Sequence, residues 1–331
     1  MKRWQQGLII GKLRPPHLGH SYLIRSALEQ VDRLTIIVCT REDDAISGDL
    51  RAGWLRELFP TVEILVWACD GYDPDDSKLW ADLTLQWLGA APDVVFTSEA
   101  YGDAYTRYLG CDHVCLDLDR QTVPISARQI LADPLAYGQY LEPCVRAHFV
   151  VRVALVGAES TGKTTLARQL AQQYRTAWVP EYGRPYWDGL LTSAVTAFST
   201  PDFVHIAQTQ QQMEDMLARH ADRVLICDTD AFTTWLWHEL YLGPDAPAVK
   251  AIADANRHQL HILTGDEIPW EDDGTRDRPN ERHWFHQRFR TELERSGRSY
   301  IHVTGTPEQR LVTATAAIDA LLSRSAASVS P

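Results

Sequence analysis

Residues 157–164 constrain the fold more than any other stretch, because they fit the spacing GxxxxGK[ST] without a mismatch. A hydrophobic, β-branched run at residues 149–156 precedes them, and residues 166–171 follow with the apolar spacing of a helix. A strand, a glycine-rich loop and a helix in this order form the context in which the motif binds phosphate. The stretch therefore predicts a P-loop rather than an ordinary glycine-rich turn.

The residue types of this loop match what a phosphate chain requires. Two glycines let successive backbone N–H groups point inward, and the helix that begins near Gly162 adds the positive end of its dipole. We expect Lys163 to contact the β- and γ-phosphates of ATP and Thr164 to ligate Mg²⁺. The phosphate-binding residues predicted for this loop are Gly157, Glu159, Ser160, Thr161, Gly162, Thr164 and Thr165.

A second acidic feature follows later in the chain. Residues 224–227 are apolar and Asp228 comes directly after them, as in a Walker-B strand. Asp228 is therefore a candidate for organising Mg²⁺ or for taking the proton from an attacking hydroxyl. Asp230, two residues further on, is predicted to lie near the substrate.

The length of 331 residues exceeds one typical core, and the P-loop strand begins near the middle. The sequence predicts two α/β domains with parallel sheets, residues 1–146 and 147–331. No run approaches the ~20 apolar residues of a membrane span, and no signal peptide is evident. The net charge of −12 argues against non-specific nucleic-acid binding, and six cysteines without a CxxC pair indicate reduced thiols. We expect a cytoplasmic protein, and homo-oligomerisation is left open.

The N-terminal half opens with a short apolar strand at residues 7–10, and residues 11–20 follow with the sequence GKLRPPHLGH. His17 and His20 are three residues apart and share one face of the first helical turn, with the side-chain-free Gly19 between them. Basic side chains and a helix N-terminus lie close by in sequence, which predicts an anion site. The residues predicted to form it are Gly11, Lys12, Arg14, His17, Gly19 and His20. Alternating strands and helices after this turn predict a parallel sheet with ligands at its carboxyl edge.

This stretch resembles the GKFxPxHxGH signature of nucleotidyltransferases, and its pairing with a downstream P-loop resembles the bifunctional NadR family. The resemblance covers nearly the whole chain. It implies a Rossmann-like nucleotidyltransferase domain, which makes NAD from nicotinamide mononucleotide and ATP, followed by a P-loop kinase domain, which phosphorylates ribosylnicotinamide with Mg²⁺ and ATP. Some members carry an N-terminal helix-turn-helix, for which we expect no room here. The alternatives are a coenzyme A pathway fusion and a kinase whose vestigial transferase half senses nucleotides.

The resemblance also implies site residues in the first half. Residues 97–99 match a TSE element, and Trp80 and Tyr105 stand where the family has aromatic residues near its nucleotide, although either can equally belong to the core. Residues 125–131 stand where the family has ISxTxxR. Ser126 matches, whereas Leu131 replaces the arginine. We expect Arg128, on the same helical face, to compensate.

In the second half, residues 181–184 resemble the EYGR segment of the nucleoside site, which implies that Glu181, Tyr182 and Arg184 contact the substrate. Residues 269–276 resemble the PWxxDGxR lid, which implies roles for Trp270, Asp273, Arg276 and Arg278. Two histidine pairs, His258 with His261 and His283 with His286, have metal-ligand spacing. The sequence supplies no third ligand nearby, so we do not expect zinc.

Overall fold

The computed structural model describes residues 2–192, 197–255, 258–270 and 279–327. The chain divides into two compact units, one up to Val145 and one from Arg146 onward. Within the described residues, no helix is both long and apolar enough to cross a membrane.

The first unit is built on a parallel sheet in which β1 is central. The strand order is β3-β2-β1-β4-β5, and the register pairs Ile9 with Ile36 and Leu8 with Val95. The strands are β1 (Trp4–Gly11), β2 (Val31–Thr40), β3 (Glu63–Ala68), β4 (Val94–Thr97) and β5 (Asp112–Cys115). The helices are α1 (Leu18–Leu28), α2 (Gly48–Leu58), α3 (Ser77–Leu88), α4 (Gly102–Leu109) and α5 (Ala127–Ala132), with a 3₁₀ turn at Gly138–Tyr140. The next helix, α6 (Pro143–Phe149), contains the boundary between the two units.

The second unit repeats this plan with β6 at the centre. The strand order is β10-β9-β6-β8-β7, again all parallel. The strands are β6 (Val151–Val156), β7 (Trp178–Val179), β8 (Val224–Asp228), β9 (Leu260–Thr264) and β10 (Tyr300–Val303). The helices are α7 (Lys163–Tyr174), α8 (Gly183–Thr192), α9 (Thr200–Ala218), α10 (Ala231–Leu242), α11 (Pro247–Asp254), α12 (Arg282–Arg295) and α13 (Pro307–Ala327), with a 3₁₀ turn at Pro279–Glu281.

The burial of the central strands in the second unit is typical of a parallel sheet. Every residue of β6, β8 and β9 is buried, as expected when helices cover both faces. In the first unit the central strand β1 pairs with β2 on one side and with β4 on the other. In such sheets ligands bind at the carboxyl edge, at the point where the strand order reverses. The predicted α/β fold with two parallel sheets is confirmed, and it directs attention to the loops after β1 and β6.

Candidate functional site

The loop after β6 has the backbone that its glycines allow. Gly157 has φ of +139°, and a Cβ added there would lie 2.8 Å from the Thr264 hydroxyl oxygen. Gly162, directly before α7, has φ of +80°. Side chains at either position would be strained. The structure thus gives residues 157–164 the tight turn that the motif predicts.

Two arginines from the last two helices of the second unit, Arg282 and Arg310, donate hydrogen bonds to backbone carbonyls of this loop. Arg310 is 3% exposed and donates to the Thr161 carbonyl at 2.7 Å and to the Gly265 carbonyl at 3.1 Å. Arg282 donates to the Ser160 carbonyl at 2.9 Å. These contacts fix the orientation of two peptide planes in the loop. Neither arginine is predicted from the sequence, because nothing in their local pattern connects them with residues about 120 to 150 positions earlier.

Charged side chains meet at the start of α7. The Lys163 ammonium donates to the carbonyls of Gly157 and Ala158 at 3.0 and 2.8 Å. Burial lowers its pKa, although the negative charges of Glu181 and Asp228 oppose this effect. Burial raises the pKa of Glu181 and of Asp228. The lysine and the carboxylates therefore share one poorly solvated space, in which added phosphates would interact strongly with them.

The residues present fit a divalent cation at this point. The Thr164 hydroxyl donates to Asp228 Oδ2 at 2.5 Å. The other carboxylate oxygen, Oδ1, is buried and accepts no hydrogen bond within the part of the chain that the structure describes. A buried carboxylate oxygen beside a hydroxyl is the kind of ligand set that Mg²⁺ prefers.

A cavity of about 460 Å³ adjoins the loop. Among the described residues, five aromatic ones line it, and four of them, Trp187, Phe198, Trp237 and Tyr241, are termed the aromatic wall here. Trp187 stacks on Phe198 with ring centroids 3.9 Å apart, and Trp237 stacks on Tyr241 at 5.7 Å. Asp188 lies beside them in the lining. The aromatic wall is not predicted from the sequence, because aromatic residues in helices more often pack in the core.

The cavity collects most of the second-unit residues that were predicted for the site. Those that line it are Glu159, Ser160, Thr161, Gly162, Lys163, Thr164, Thr165, Glu181 and Arg184. Thr161 takes part through its position only, since its hydroxyl is buried and bonds to the Ala158 carbonyl and to Thr264. Predicted residues that do not line it are Gly157, Tyr182, Asp228, Asp230 and Trp270.

Two of these residues have other contacts. Asp230 is fully buried, caps α10 by accepting the Thr233 N–H at 2.9 Å, and does not line the cavity. The Tyr182 hydroxyl contacts His205 at 3.2 Å. The predicted lid residues Asp273, Arg276 and Arg278 lie outside the described residues.

In the first unit, His17 is the N-cap of α1. Its Nδ1 accepts the Gly19 N–H at 3.1 Å, and its own backbone N–H donates to Nδ1 of His20 at 3.2 Å. A Cβ on Gly19 would lie 2.9 Å from the His17 ring, so glycine allows the ring to sit over the turn. Because both Nδ1 atoms accept, each neutral ring carries its proton on Nε2. The two rings lie 3.8 Å apart.

Both histidines are uncharged near neutral pH. Burial and the positive charge of Arg120 lower the pKa of His17 to about 4. Burial, His17 and Arg120 hold the pKa of His20 well below its ordinary value. The predicted anion site therefore offers neutral N–H donors from its histidines, and any positive charge must come from other residues.

A cavity of about 340 Å³ adjoins the two rings. Its lining includes the predicted residues His17, Gly19, His20, Ser126 and Arg128, together with Ser98 and Glu99 of the TSE element. It also includes Arg120, a residue that the sequence analysis did not assign to the site. The Asp117 carboxylate accepts the N–H groups of Thr122 and Val123 at 2.9 and 3.1 Å and so closes a turn around Arg120.

Several predicted residues of the first unit lie elsewhere. Lys12 is exposed, Arg14 forms an ion pair with Asp44, and neither lines the cavity, nor does Gly11. The lining of this cavity therefore contains neither of the two basic residues. The Asp44 carboxylate binds the Arg14 guanidinium.

Core and capping contacts account for other residues of the first-unit prediction. Trp80 does not line the cavity and donates from Nε1 to the Asp73 carbonyl at 2.8 Å. Tyr105 is buried against Thr84, with the two hydroxyls 2.7 Å apart. Ser126 caps α5 by accepting the Gln129 N–H at 3.2 Å.

Comparison with known proteins places these sites in a family context. Residues 152–310 match the family model described as AAA domain. The chain is 34% identical over 291 residues to the trifunctional NAD biosynthesis/regulator protein NadR of Escherichia coli (strain K12), covering 82% of this chain and 71% of that protein. The protein of the same name from Salmonella typhimurium gives the same identity and coverage.

Two solved structures share the fold over almost the whole chain. A crystal structure of NadR protein in complex with NR matches with a TM-score of 0.78 at 21% identity, covering 95% of each chain. Another, in complex with NAD and AMP-PNP, matches with a TM-score of 0.75 at 20% identity, covering 97% of this chain and 96% of that one.

Proposed function

The chain belongs to the NadR family, and we propose that it is a bifunctional enzyme of NAD synthesis with one reaction in each unit. The second unit phosphorylates the ribose 5′-hydroxyl of ribosylnicotinamide with Mg²⁺ and ATP. The first unit transfers the adenylyl group of a second ATP to the resulting nicotinamide mononucleotide, which gives NAD and pyrophosphate. The names of the relatives, and the NR, NAD and AMP-PNP ligands of the similar structures, support this choice of substrates.

One observation carries the kinase assignment: the same cavity is lined by residues of the P-loop and by the aromatic wall. Glu181 and Arg184 line it as well. A substrate that spans this cavity would place a ring on the aromatic residues and a hydroxyl near the phosphates. Phosphoryl transfer requires mainly such positioning and charge neutralisation.

The kinase step uses four residues of this unit, Lys163, Thr164, Asp228 and Glu181. The Lys163 ammonium neutralises charge on the β- and γ-phosphates while the 5′-hydroxyl oxygen attacks the γ-phosphorus and ADP leaves. Thr164 and Asp228 would hold Mg²⁺, which would supply positive charge to neutralise the phosphates. Glu181, whose pKa is raised by burial, takes the proton of the attacking hydroxyl. This leaves Asp228 for the cation, which its buried Oδ1 atom fits.

The aromatic wall suits the charge of the substrate. The pyridinium ring of ribosylnicotinamide carries a positive charge, and cations bind aromatic faces with ~0.5–2 kcal/mol of stabilisation. Asp188 in the same lining adds a negative charge. We therefore expect the oxidised nucleoside to be preferred over its dihydro form, which has nearly the same shape and no ring charge.

In the first unit, a phosphate oxygen of nicotinamide mononucleotide attacks the α-phosphorus of ATP, and pyrophosphate leaves. The Nε2–H groups of His17 and His20 donate to phosphate oxygens on which charge develops. Arg120 and Arg128, both in the cavity lining, supply the positive charge that the neutral histidines lack. This role for Arg120 and Arg128 offsets the replacement of the family arginine by Leu131.

The proposal is tested by incubating the protein with Mg²⁺, ATP and either ribosylnicotinamide or nicotinamide mononucleotide, then separating the products by chromatography. We expect nicotinamide mononucleotide and ADP from the first substrate, and NAD and pyrophosphate from the second. Product from ribosylnicotinamide, with none from nicotinamide mononucleotide, would favour the kinase with a vestigial transferase half. A parallel incubation with 4′-phosphopantetheine tests the coenzyme A alternative, which turnover of that acceptor would favour. No turnover of any acceptor would contradict both assignments.

A further inference from the structure

A group of histidine and acidic side chains lies in the core of the second unit, outside the cavity described above. His258 and His261 lie at the start of β9, and Asp230 follows β8. Their side chains are at most 1% exposed. The sequence supplied no third ligand for this histidine pair, whereas the fold brings Asp230 to it from about 30 positions away.

The distances in this group match those between ligands of one metal ion. Asp230 Oδ2 lies 3.1 Å from His261 Nε2 and 3.7 Å from His258 Nδ1. One atom from each of the three residues lies within 4.8 Å of the others. Ligand atoms at ~2.0–2.2 Å from a tetrahedral zinc ion are separated by roughly 3.3–3.6 Å. Small side-chain shifts would therefore complete the geometry.

A second carboxylate supports one of the histidines. His258 Nε2, the nitrogen that does not face Asp230, lies 3.4 Å from Glu214 Oε2. Arg152 Nη1 lies 3.7 Å from the same Glu214 oxygen. A carboxylate on the far nitrogen of a histidine is the usual arrangement around metal-bound imidazoles, because it fixes the tautomer and orients the ring.

We propose that Asp230, His258 and His261 bind a divalent transition metal, best matched by Zn²⁺, with Glu214 as the outer partner of His258. His258 would bind through Nδ1 and His261 through Nε2. Two imidazoles and one carboxylate favour zinc over Mg²⁺, which prefers an all-oxygen ligand set. The fourth position would be taken by water or by the second oxygen of Asp230.

The position of the site gives it a structural role. Asp230 caps α10, and it lies two residues after Asp228, the residue that we assign to Mg²⁺. An ion bound here would join the segment after β8 to the first residues of β9. Because a metal that binds only the folded chain stabilises it, we expect zinc to raise the melting temperature of the second unit.

The experiment uses the full chain without a histidine tag. Metal content is measured by plasma mass spectrometry after purification, and thermal melting is then followed on chelator-treated protein as Zn²⁺ is added. We expect about one equivalent of zinc per chain and a rise in melting temperature that saturates at this ratio. Less than a tenth of an equivalent, with no change in melting, would overturn the proposal and leave the group as a hydrogen-bond network.

Conservative variants separate this site from other zinc binding. Glu214→Gln should weaken zinc binding by ~10–100-fold, and His261→Asn, which removes a proposed ligand, should weaken it more. His220→Gln, at an exposed histidine of the same unit, should not change it. Asp228→Asn should also leave zinc binding intact. Equal loss in His220→Gln, or loss in Asp228→Asn, would contradict the assignment. If a variant does not fold, Co²⁺ added to the parent chain provides the test, since the proposal requires the visible absorption of a tetrahedral site.

Discussion

The two cavities differ in how they would present hydrogen-bond donors to the phosphates of the proposed reactions. In the second unit the donors belong to a backbone loop, whose shape depends on Gly157 and Gly162 and on arginines bonded to its carbonyls. In the first unit they are two neutral imidazoles on a helix cap, with Arg120 and Arg128 in the same lining. A loop that relies on backbone donors depends on its glycines. In a site made of side chains, a different residue can supply the charge that a substitution removes.

The largest effect is expected from Lys163→Ala. This variant removes the only P-loop cation, so we expect phosphorylation of ribosylnicotinamide to fall by ~10³-fold or more. Adenylyl transfer, carried out by the other unit, should stay within a few-fold of the parent. Lys250→Ala, at a surface lysine paired with Asp254, is the matched control. Normal kinase turnover in Lys163→Ala would contradict the P-loop assignment.

The two acids beside Lys163 should differ from each other. Asp228→Asn weakens the proposed Mg²⁺ site, so we expect ~10³-fold slower phosphorylation with a higher Mg²⁺ requirement. Glu181→Gln removes the proposed base and should cost ~10²-fold or more without changing that requirement. Steady-state rates measured across a Mg²⁺ series distinguish the two roles. A raised Mg²⁺ requirement in Glu181→Gln alone would exchange the assignments.

In the first unit, replacing either histidine by alanine should slow adenylyl transfer by ~10²–10³-fold and leave the kinase unchanged. His17→Asn provides a sharper variant, because asparagine can still cap α1 but lacks an Nε2–H group. It should therefore lose activity while keeping the parent's melting temperature. If both alanine variants made NAD at the parent rate, the histidines would have no part in the reaction.

The sequence predicted the architecture well because buried parallel strands leave a local signal. The apolar run at residues 224–227, with Asp228 after it, coincides with β8, in which every residue is buried. β1 proved longer than the predicted strand at residues 7–10, because its first residues include polar side chains. The two-residue strand β7 gave no detectable pattern.

The sites were less predictable, because contacts between distant residues decide them. The P-loop lies within eight consecutive residues, so its members could be named directly. By contrast, the partner of Arg14 is Asp44, and Asp117 closes the turn that carries Arg120. These pairings depend on where the loops after parallel strands meet, which periodicity does not encode.

Arg120 and Arg128 both line the cavity of the first unit. Each is therefore a candidate for supplying the positive charge that Leu131 lacks. We expect Arg128→Ala to slow adenylyl transfer by ~10–100-fold and Arg120→Ala by a similar factor, since each removes one charged contact. Arg107→Ala, on α4 of the same unit and outside the lining, is the matched control. Robust transfer that is unchanged in both variants would refute compensation by either arginine.

The smallest expected effect concerns stability, and it depends on the histidines being neutral. The pKa of His17 is about 4 in the folded protein against an ordinary value of 6.5, so the unfolded chain binds more protons between these values. The free energy of unfolding of the first unit should therefore fall as pH decreases below about 6.5. For His17 alone the loss between pH 7 and 5.5 is about 1 kcal/mol. Hydrogen exchange of the α1 amides, corrected for intrinsic rates, measures it, and His17→Asn should show a correspondingly smaller loss. The same pH dependence in parent and variant would mean that His17 keeps its ordinary pKa, and the description of the first cavity as one with neutral imidazole donors would then be wrong.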